Sequence, residues 1–283
     1  MPTPGLSLVG FLDRDAALKF LRTACMPAVD TDAALEAEWL NAQANLGAAT
    51  PNAGQPQIAD IPASHQGYIA ALAQQQWMRQ AIASGRISTP FEFKWVELEP
   101  LLAFQFSVDE TRSAHHCAHL TNPPTLDELF QLCLPQALPL EQWDWAPAPG
   151  SYIVRSRSLN MRMMAHGFFP APDGTVGGVF FGPAPPLVNV VRFNGRCYLS
   201  NGFHRTYGAR MAGATHVPCI FRDTVDPLSV GIQPPATFGL PLLESPNPPT
   251  LAHFGNGRSR RVNLRAITRV IHISWAEYSL PNE

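Results

Sequence analysis

The chain has 283 residues, of which 46% are hydrophobic and 10% aromatic, so it holds enough apolar side chains for a packed core, and wholesale disorder is excluded. Its formal net charge of −2 excludes a globally basic, non-specific nucleic-acid binder and leaves that task to local basic patches. No run of about 18 apolar residues occurs and the N-terminus lacks the pattern of a secretory signal, so neither a membrane span nor export is predicted.

Residues 1–88 have a predominantly helical pattern. Asp13 is a suitable N-cap, and the apolar residues that follow it recur at helical spacing. Proline and glycine then punctuate the pattern and separate the helical segments. The predicted elements are helices over 14–26, 33–46 and 64–84, with a linker over 47–62.

Strand-like patterns replace helical ones after residue 88. Phe91 to Leu98 alternates apolar and polar side chains with period two, as a half-buried strand does. Thr125 is an N-cap residue, and acidic residues suited to a first helical turn follow it, which predicts a short helix. The other predicted elements are a strand over 101–108, an ordered Pro- and Trp-rich loop over 135–150, a strand over 152–157 and a Pro/Gly-rich loop over 170–186.

The densest local signal lies in residues 186–223. Asn194-Gly195 is a favoured two-residue hairpin turn, so it predicts a strand on either side. A helix and a further strand follow, because Gly213 is a typical helix C-cap before a short apolar run. The predicted order is a strand over 188–193, a strand over 196–200, a helix over 203–211 and a strand over 217–221.

The last part of the chain is Pro-rich and strand-like. A Pro-rich segment spans 226–249, the basic loop Arg258-Ser259-Arg260-Arg261 follows, and a final strand is predicted over 269–275. The composition shifts predict three segments. They are an N-terminal helical region over 1–88, a core over 89–225, and an extension over 226–283 that packs on the core.

The cysteines do not point to a metal or redox site. There are five, widely spaced, and no C-x-x-C pair occurs, so a zinc ribbon or a thioredoxin-type site is not supported. Free, mostly buried thiols in a reducing cytoplasm fit best. The segment His115-His116-Cys117-Ala118-His119 has suitable zinc-ligand types, but a polar surface is the preferred interpretation, and no metal site is predicted.

The turn Asn201-Gly202-Phe203-His204-Arg205 carries the main functional signal. Ser200 and Asn201 are N-cap residue types, and a glycine lets the backbone approach a ligand closely. His204 and Arg205 place cations at a helix N-terminus, which opposes the helix dipole by a few tenths to about 1 kcal/mol each. A bound anion would reverse that sign. The alternative is that both side chains are solvated, or that Arg205 pairs with a carboxylate.

At these residues the chain resembles the ParB/sulfiredoxin-like superfamily, which carries a strand, G-x-[HR]-R at a helix start, a glycine, and a strand with V-P. The matching residues are Gly202, His204, Arg205, Ala209, Gly213 and Val217-Pro218. The resemblance implies an α/β (α+β) fold with a ParB/sulfiredoxin-like core. It also implies a nucleotide-phosphate site at Asn201, Gly202, His204 and Arg205. ATP or CTP would be the nucleotide, with Mg²⁺ as its usual companion.

Two departures from the family narrow the expected function. Phe203 stands where sulfiredoxins have a reactive cysteine and partition proteins a glutamate, so sulfinic acid reduction is not expected. The chain does not continue into a helix-turn-helix domain, so a chromosome-partition clamp is a poor fit. The leading hypothesis is binding of a nucleotide or nucleic-acid phosphate, with phosphoryl-transfer or hydrolytic chemistry. The alternatives are a non-catalytic nucleotide sensor or DNA-binding protein of plasmid, phage or defence type, and a scaffold.

Other residues are assigned secondary roles. If the protein is an enzyme, His204 and Arg205 are the expected catalytic residues, and His204 would shuttle a proton because its unperturbed pKa lies near neutrality. Arg157 and Arg162 are expected second phosphate contacts, or else charges that blunt an edge strand. Three further sets complete the candidates. They are Asp109 and Glu110 as general bases or Mg²⁺ ligands, Arg258–Arg261 as a nucleic-acid contact or else a solvated loop, and Trp143 and Trp145 as base-stacking residues or else side chains packed under their loop. No Walker loop and no G-x-S-x-G elbow occurs, so no Ser-His-Asp triad is assigned.

Overall fold

The computed structural model describes residues 2–27, 30–137, 143–148, 150–156, 161–172, 174–183, 185–255 and 257–276. The chain divides into two compact units, one of residues 1–136 and 187–266, the other of residues 137–186 and 267–283. Among the described residues, none of the helices is long and apolar enough to cross a bilayer. The three sequence-based segments 1–88, 89–225 and 226–283 stay a prediction, although all three contribute residues to the first unit.

The described residues of the first unit contain eight α-helices, two of which begin at N-caps that the sequence predicts. They are α1 (Arg14–Thr23), α2 (Asp32–Ala44), α3 (Gln66–Gln74), α4 (Gln76–Ala83), α5 (Glu110–Cys117), α6 (Leu126–Cys133), α7 (Phe203–Met211) and α8 (Leu240–Leu243). The Asp13 carboxylate accepts the Ala16 N–H at 2.8 Å and starts α1. Thr125 and Glu128 form a capping box at the start of α6. Both predicted helix starts are therefore confirmed.

Two sheets organise the first unit. Their strands are β1 (Thr3–Ser7), β2 (Ile58–Asp60), β3 (Glu92–Glu97), β4 (Ser107–Asp109), β9 (Asn189–Phe193), β10 (Arg196–Asn201), β11 (His216–Asp223) and β12 (Arg260–Leu264). The larger sheet has the order β10-β9-β11-β3-β2, and the smaller has the order β12-β1-β4. In the larger sheet β9 and β11 are parallel, and the β10 hairpin and α7 connect them. The strand–hairpin–helix–strand unit predicted over 186–223 is confirmed.

Some predictions for the first unit are corrected by tertiary contacts. The single helix expected over 64–84 is wrong, because Gln75 is extended (φ −59°, ψ 133°) and separates α3 from α4. The strand expected over 101–108 is mostly wrong, since only its end lies in β4. Leu102 instead crosses the core as an isolated bridge, accepting from Leu199 N–H and donating to the Cys197 carbonyl, both at 3.0 Å.

The predicted linker and the predicted basic loop are also partly ordered as strands. Within 47–62, β2 pairs with β3 at the edge of the larger sheet. Arg260 and Arg261 lie in β12, opposite Ser7 and Leu6 of β1. Short edge strands of this kind have too few residues to show a clear period, so their partners decide them.

The second unit is built only from strands among its described residues. They are β5 (Trp143–Ala148), β6 (Ser151–Ser156), β7 (Met161–Ala171), β8 (Gly174–Pro183) and β13 (Arg269–Ser274). β13, β6 and β5 form one sheet, and β7 and β8 form a long hairpin. The loops expected over 135–150 and 170–186 are corrected, because β5 and β8 lie within them. Pro147 is tolerated because β5 is an edge strand.

Candidate functional site

The glycine of the predicted turn is required by the local backbone. Gly202 is the N-cap of α7 with φ +100° and ψ 17°, in the left-handed region that favours glycine. A Cβ at this position would lie 2.7 Å from Val188 Cγ2. The structure therefore gives Gly202 a conformational and a packing role, and its expected approach to a phosphate stays a prediction.

The start of α7 is not capped by a side chain. The Ser200 hydroxyl donates to the Val230 carbonyl at 2.7 Å, and Asn201 is paired with Asn189 at the end of β10, so neither acts as the N-cap that the sequence suggested. The first intrahelical bond is Thr206 N–H to the Gly202 carbonyl at 2.9 Å. Within the described part of the chain, the N–H groups of Phe203 and His204 have no hydrogen-bond acceptor, as is usual in a first helical turn.

Phe203 anchors this helix start in the core. The side chain is 2% exposed, and its ring meets Phe104 edge to face with the centroids 5.4 Å apart. In the superfamily that this turn resembles, the corresponding side chain is a reactive cysteine or a glutamate. Here the buried phenyl ring is excluded from contact with a ligand.

Arg205 points into the protein rather than to solvent. The residue is 7% exposed. It donates from Nη1 to the Leu132 carbonyl and from Nη2 to the Leu187 carbonyl, each at 3.3 Å. Leu132 lies in the last turn of α6, where carbonyls lack intrahelical partners and a cation is favourable. Burial lowers the pKa of Arg205 to about 10, so the guanidinium is charged at neutral pH. Arg205 therefore links the last turn of α6 to the segment that leads into β9.

His204 faces a different neighbour, helix α5. The Ser113 hydroxyl of α5 donates to the His204 carbonyl at 2.7 Å, and the Cys117 thiol donates to the Arg205 carbonyl at 3.7 Å. The helices pack this closely because of Gly208, where a Cβ would lie 2.6 Å from Ser113 Oγ. This contact brings the basic side chains of α5 to the start of α7.

Four basic side chains near this helix contact influence one another electrostatically, and we call Arg112, His116, His204 and Arg205 the basic cluster. The pKa of His204 is lowered to about 3, first by burial and then by the positive charge of Arg112, with Asp109 opposing the shift. Burial lowers the pKa of His116 to about 4, with Arg205 and Arg112 as further causes. Both imidazoles are consequently neutral at pH 7 in the free protein. The proton-shuttle role expected for His204 presumed a pKa near neutrality, and burial removes that condition.

Sequence reasoning missed half of this cluster. Arg112 belongs to no sequence motif, and His116 is predicted to lie on a polar surface, with zinc ligation as the alternative. Arg112 and His116 lie four residues apart and share one face of α5. Among the described residues, no group of three His, Cys, Asp or Glu side chains is arranged to hold a metal ion. The one sequence signal that could have found the cluster is the small residue Gly208 on the partner helix.

The acidic candidates beside the cluster have structural partners. Asp109 caps α5, accepting the Arg112 N–H at 3.0 Å, and also accepts the Thr3 hydroxyl at 2.9 Å. Glu110 accepts from the Tyr207 hydroxyl at 3.4 Å and lies 3.9 Å from the Arg261 guanidinium. Their expected roles as general bases or Mg²⁺ ligands stay predictions.

The remaining candidates are described only in part. Arg157 lies outside the described residues, and Arg162 is described only as a β7 position opposite Gly182 in the second unit. Arg260 of the basic segment donates to Glu38 at 2.7 Å, whereas the Arg261 side chain is 83% exposed. Only part of the Arg258–Arg261 segment is therefore open to a nucleic-acid backbone.

By its described residues, the protein belongs to the α/β class, since helices and strands are mixed and the strands form several sheets. Comparisons with protein-family models, with curated proteins and with solved structures found no match for this chain. Only the α/β class is therefore shown, and the resemblance of the Gly202 turn to the ParB/sulfiredoxin-like superfamily stays a prediction.

Proposed function

We propose that this protein binds the phosphate group of a nucleotide or a nucleic acid at the start of α7, in a core of the ParB/sulfiredoxin-like type. The observation that carries the proposal is the basic cluster. Arg112, His116, His204 and Arg205 lie within electrostatic range of one another in a largely desolvated place. The two guanidinium groups of Arg112 and Arg205 are like charges whose proximity is unfavourable by itself, and an anion beside them reverses the sign, while the neutral imidazoles can donate to it.

The helix start adds to this preference. The N–H groups of Phe203 and His204 are open donors at the positive end of the α7 dipole, and His204 belongs to the basic cluster as well. Main-chain donors and basic side chains therefore both lie near the start of α7. A phosphate oxygen accepts several such bonds at once, as charge-assisted hydrogen bonds that are stronger than neutral ones.

Each residue has a distinct part in this proposal. The N–H groups of Phe203 and His204 and the side chains of His204, His116 and Arg112 contact the phosphate. Arg205 contributes positive charge from its buried position, with two donors held by main-chain carbonyls. ATP or CTP is the proposed nucleotide, with Mg²⁺ on its outer phosphates. The expected phosphate contacts of Arg157 and Arg162 stay predictions from the sequence.

A ligand panel tests binding. Thermal stability is measured with ATP, CTP, GTP, ADP, inorganic pyrophosphate and short DNA, each with and without Mg²⁺. Ligand binding stabilises the folded state by mass action, about 2.7 kcal/mol at 100 times Kd. The stabilisation should be lost in Arg112→Gln and kept in Arg86→Gln, which removes an exposed charge far along the chain. If no phosphate compound stabilises the wild type more than it stabilises Arg112→Gln, the proposal is wrong.

Turnover separates an enzyme from a sensor. An enzyme that transfers or hydrolyses the phosphoryl group releases nucleoside diphosphate or phosphate, whereas a sensor or DNA-binding protein binds without product. The small exposure of Arg205 and the neutral state of His204 favour the sensor, because neither group is poised for proton transfer at pH 7. Product release that disappears in His204→Gln would favour the enzyme.

A further inference from the structure

A second set of polar side chains lies apart from the basic cluster in the first unit. The single helical turn Ala63–His65, just before α3, meets the first turn of α6. His65 bridges the two: its Nδ1 lies 2.9 Å from Ser64 Oγ, and its Nε2 lies 2.9 Å from Asp127 Oδ1. A serine, an imidazole and a carboxylate are thus connected in a line.

The hydrogen bond to the Asp127 carboxylate determines the tautomer of a neutral His65. An Asp carboxylate only accepts hydrogen bonds, so the Nε2 atom of a neutral His65 must carry the proton that bonds to Asp127. The Nδ1 atom then presents a lone pair, and the Ser64 hydroxyl must be the donor. The serine hydroxyl therefore donates to the imidazole, and the imidazole donates to the carboxylate, as in a Ser-His-Asp triad.

The core holds the base while the nucleophile stays open. His65 is 9% exposed, and its ring stacks on Phe130 with the centroids 4.4 Å apart. Phe130 is fully buried, so the imidazole has little freedom to turn away. Ser64 is exposed, and the Asp127 side chain is 83% exposed. A substrate can reach the hydroxyl without any rearrangement of the fold.

We propose that Ser64 is an activated nucleophile, with His65 as its general base and Asp127 as a positioning residue, and that it accepts acyl groups from small activated esters. The relay differs from the usual arrangement, because the serine is bonded through Nδ1 and the carboxylate through Nε2. Both nitrogens belong to one conjugated ring, so proton uptake at Nδ1 strengthens the bond from Nε2–H to Asp127. The open position of Ser64 suits small acyl groups.

The reaction conserves atoms and charge in two steps. Ser64 Oγ attacks the ester carbonyl carbon while its proton moves to His65 Nδ1. The carbon–oxygen bond to the leaving alcohol then breaks, and His65 returns the proton to that oxygen. In the second step water attacks the acyl-serine, His65 takes and returns one proton, and a carboxylic acid is released with Ser64 restored.

A fluorophosphonate probe tests the nucleophile directly. Ser64 Oγ forms a bond to phosphorus, the phosphorus–fluorine bond breaks, and fluoride leaves. The full chain is incubated with the probe, and peptide mass spectrometry locates and times the adduct. The expected result is labelling at Ser64 at least tenfold faster than at Ser84, an exposed serine whose hydroxyl donates to a main-chain carbonyl at 2.7 Å instead of an imidazole.

Two variants give the matched controls. Asp127→Asn keeps the shape of an exposed side chain and should lower the Ser64 labelling rate at least tenfold, and Ser64→Ala should abolish that adduct and the hydrolysis of p-nitrophenyl acetate. Circular dichroism confirms that each variant is folded. Equal labelling of Ser64 and Ser84, or unchanged labelling in Asp127→Asn, would overturn the proposal.

Discussion

Lowering the pH from 7.5 to 5.5 should destabilise this protein through three histidines that are neutral in the folded state. Burial lowers the pKa of His204 to about 3, and those of His116 and His253 to about 4, from an ordinary value of 6.5. In the unfolded chain each titrates near that ordinary value, so the unfolded state binds more protons below it. The stability is fully present above about pH 6.5 and is lost as the pH falls toward the folded values.

The size of the effect follows from proton linkage. Between pH 7.5 and 5.5 each such histidine favours the unfolded chain by about 1.4 kcal/mol, and the three together by about 4 kcal/mol. That is a large part of the roughly 5–15 kcal/mol of a typical domain. Glu128 has a pKa lowered to about 2 from an ordinary 4.5, so it contributes only at lower pH. The chosen interval therefore isolates the histidines.

Urea unfolding at the two pH values measures this loss. Wild type should lose about 4 kcal/mol, and His204→Gln about 2.7 kcal/mol, because one of the three linked protons is gone. Pyrophosphate at constant ionic strength should restore part of the loss in wild type, since an anion in the basic cluster favours the protonated imidazoles. A wild-type loss below about 1 kcal/mol, or an equal loss in His204→Gln, would refute the burial of neutral histidines as the cause.

Three further substitutions have expected costs that urea unfolding measures. Gly202→Ala should cost at least about 2 kcal/mol through positive φ and the Val188 contact, whereas Gly67→Ala, which meets nothing within 4 Å, should be neutral or stabilising; similar values for both would contradict this. Arg205→Met should cost about 2–4 kcal/mol, because two buried carbonyls lose a charged donor. Thr125→Ala should cost about 1 kcal/mol, and no loss would contradict the capping box.

Signals that act over a few residues were sufficient for much of the first unit. Asp13 and Thr125 cap the helices that follow them, because an N-cap bond spans only three residues. Asn194-Gly195 adopts positive φ at both residues and joins β9 to β10 as expected. The period-two pattern of residues 91–98 became β3. The partner groups of the two caps and of the turn lie close along the chain, so the residue types alone decide them. The alternation of β3 indicates a half-buried strand, but its partner β11 is distant in the sequence.

Only tertiary contacts decided the short and interrupted elements. Gln75 ends a helix although its neighbours suit one, and β2 forms because β3 offers it an edge. β5 contains Pro147 and β8 is rich in glycine, and each is a strand because it pairs along its length with a neighbouring strand, β6 or β7. Pairing energy between distant segments outweighs weak local preference in these places.

The difference between what local sequence and what tertiary packing determine is clearest at the candidate functional residues. The sequence alone determined the Gly202 turn, the α7 start and the presence of His204 and Arg205 there. The direction of Arg205, the approach of Arg112 and His116, and the bridge from His65 to Asp127 depend on helices that are 62 or more residues apart in the chain. Tertiary packing decides these contacts. The neighbours of a side chain depend on how closely two distant segments approach, and no pattern of adjacent residues specifies that approach.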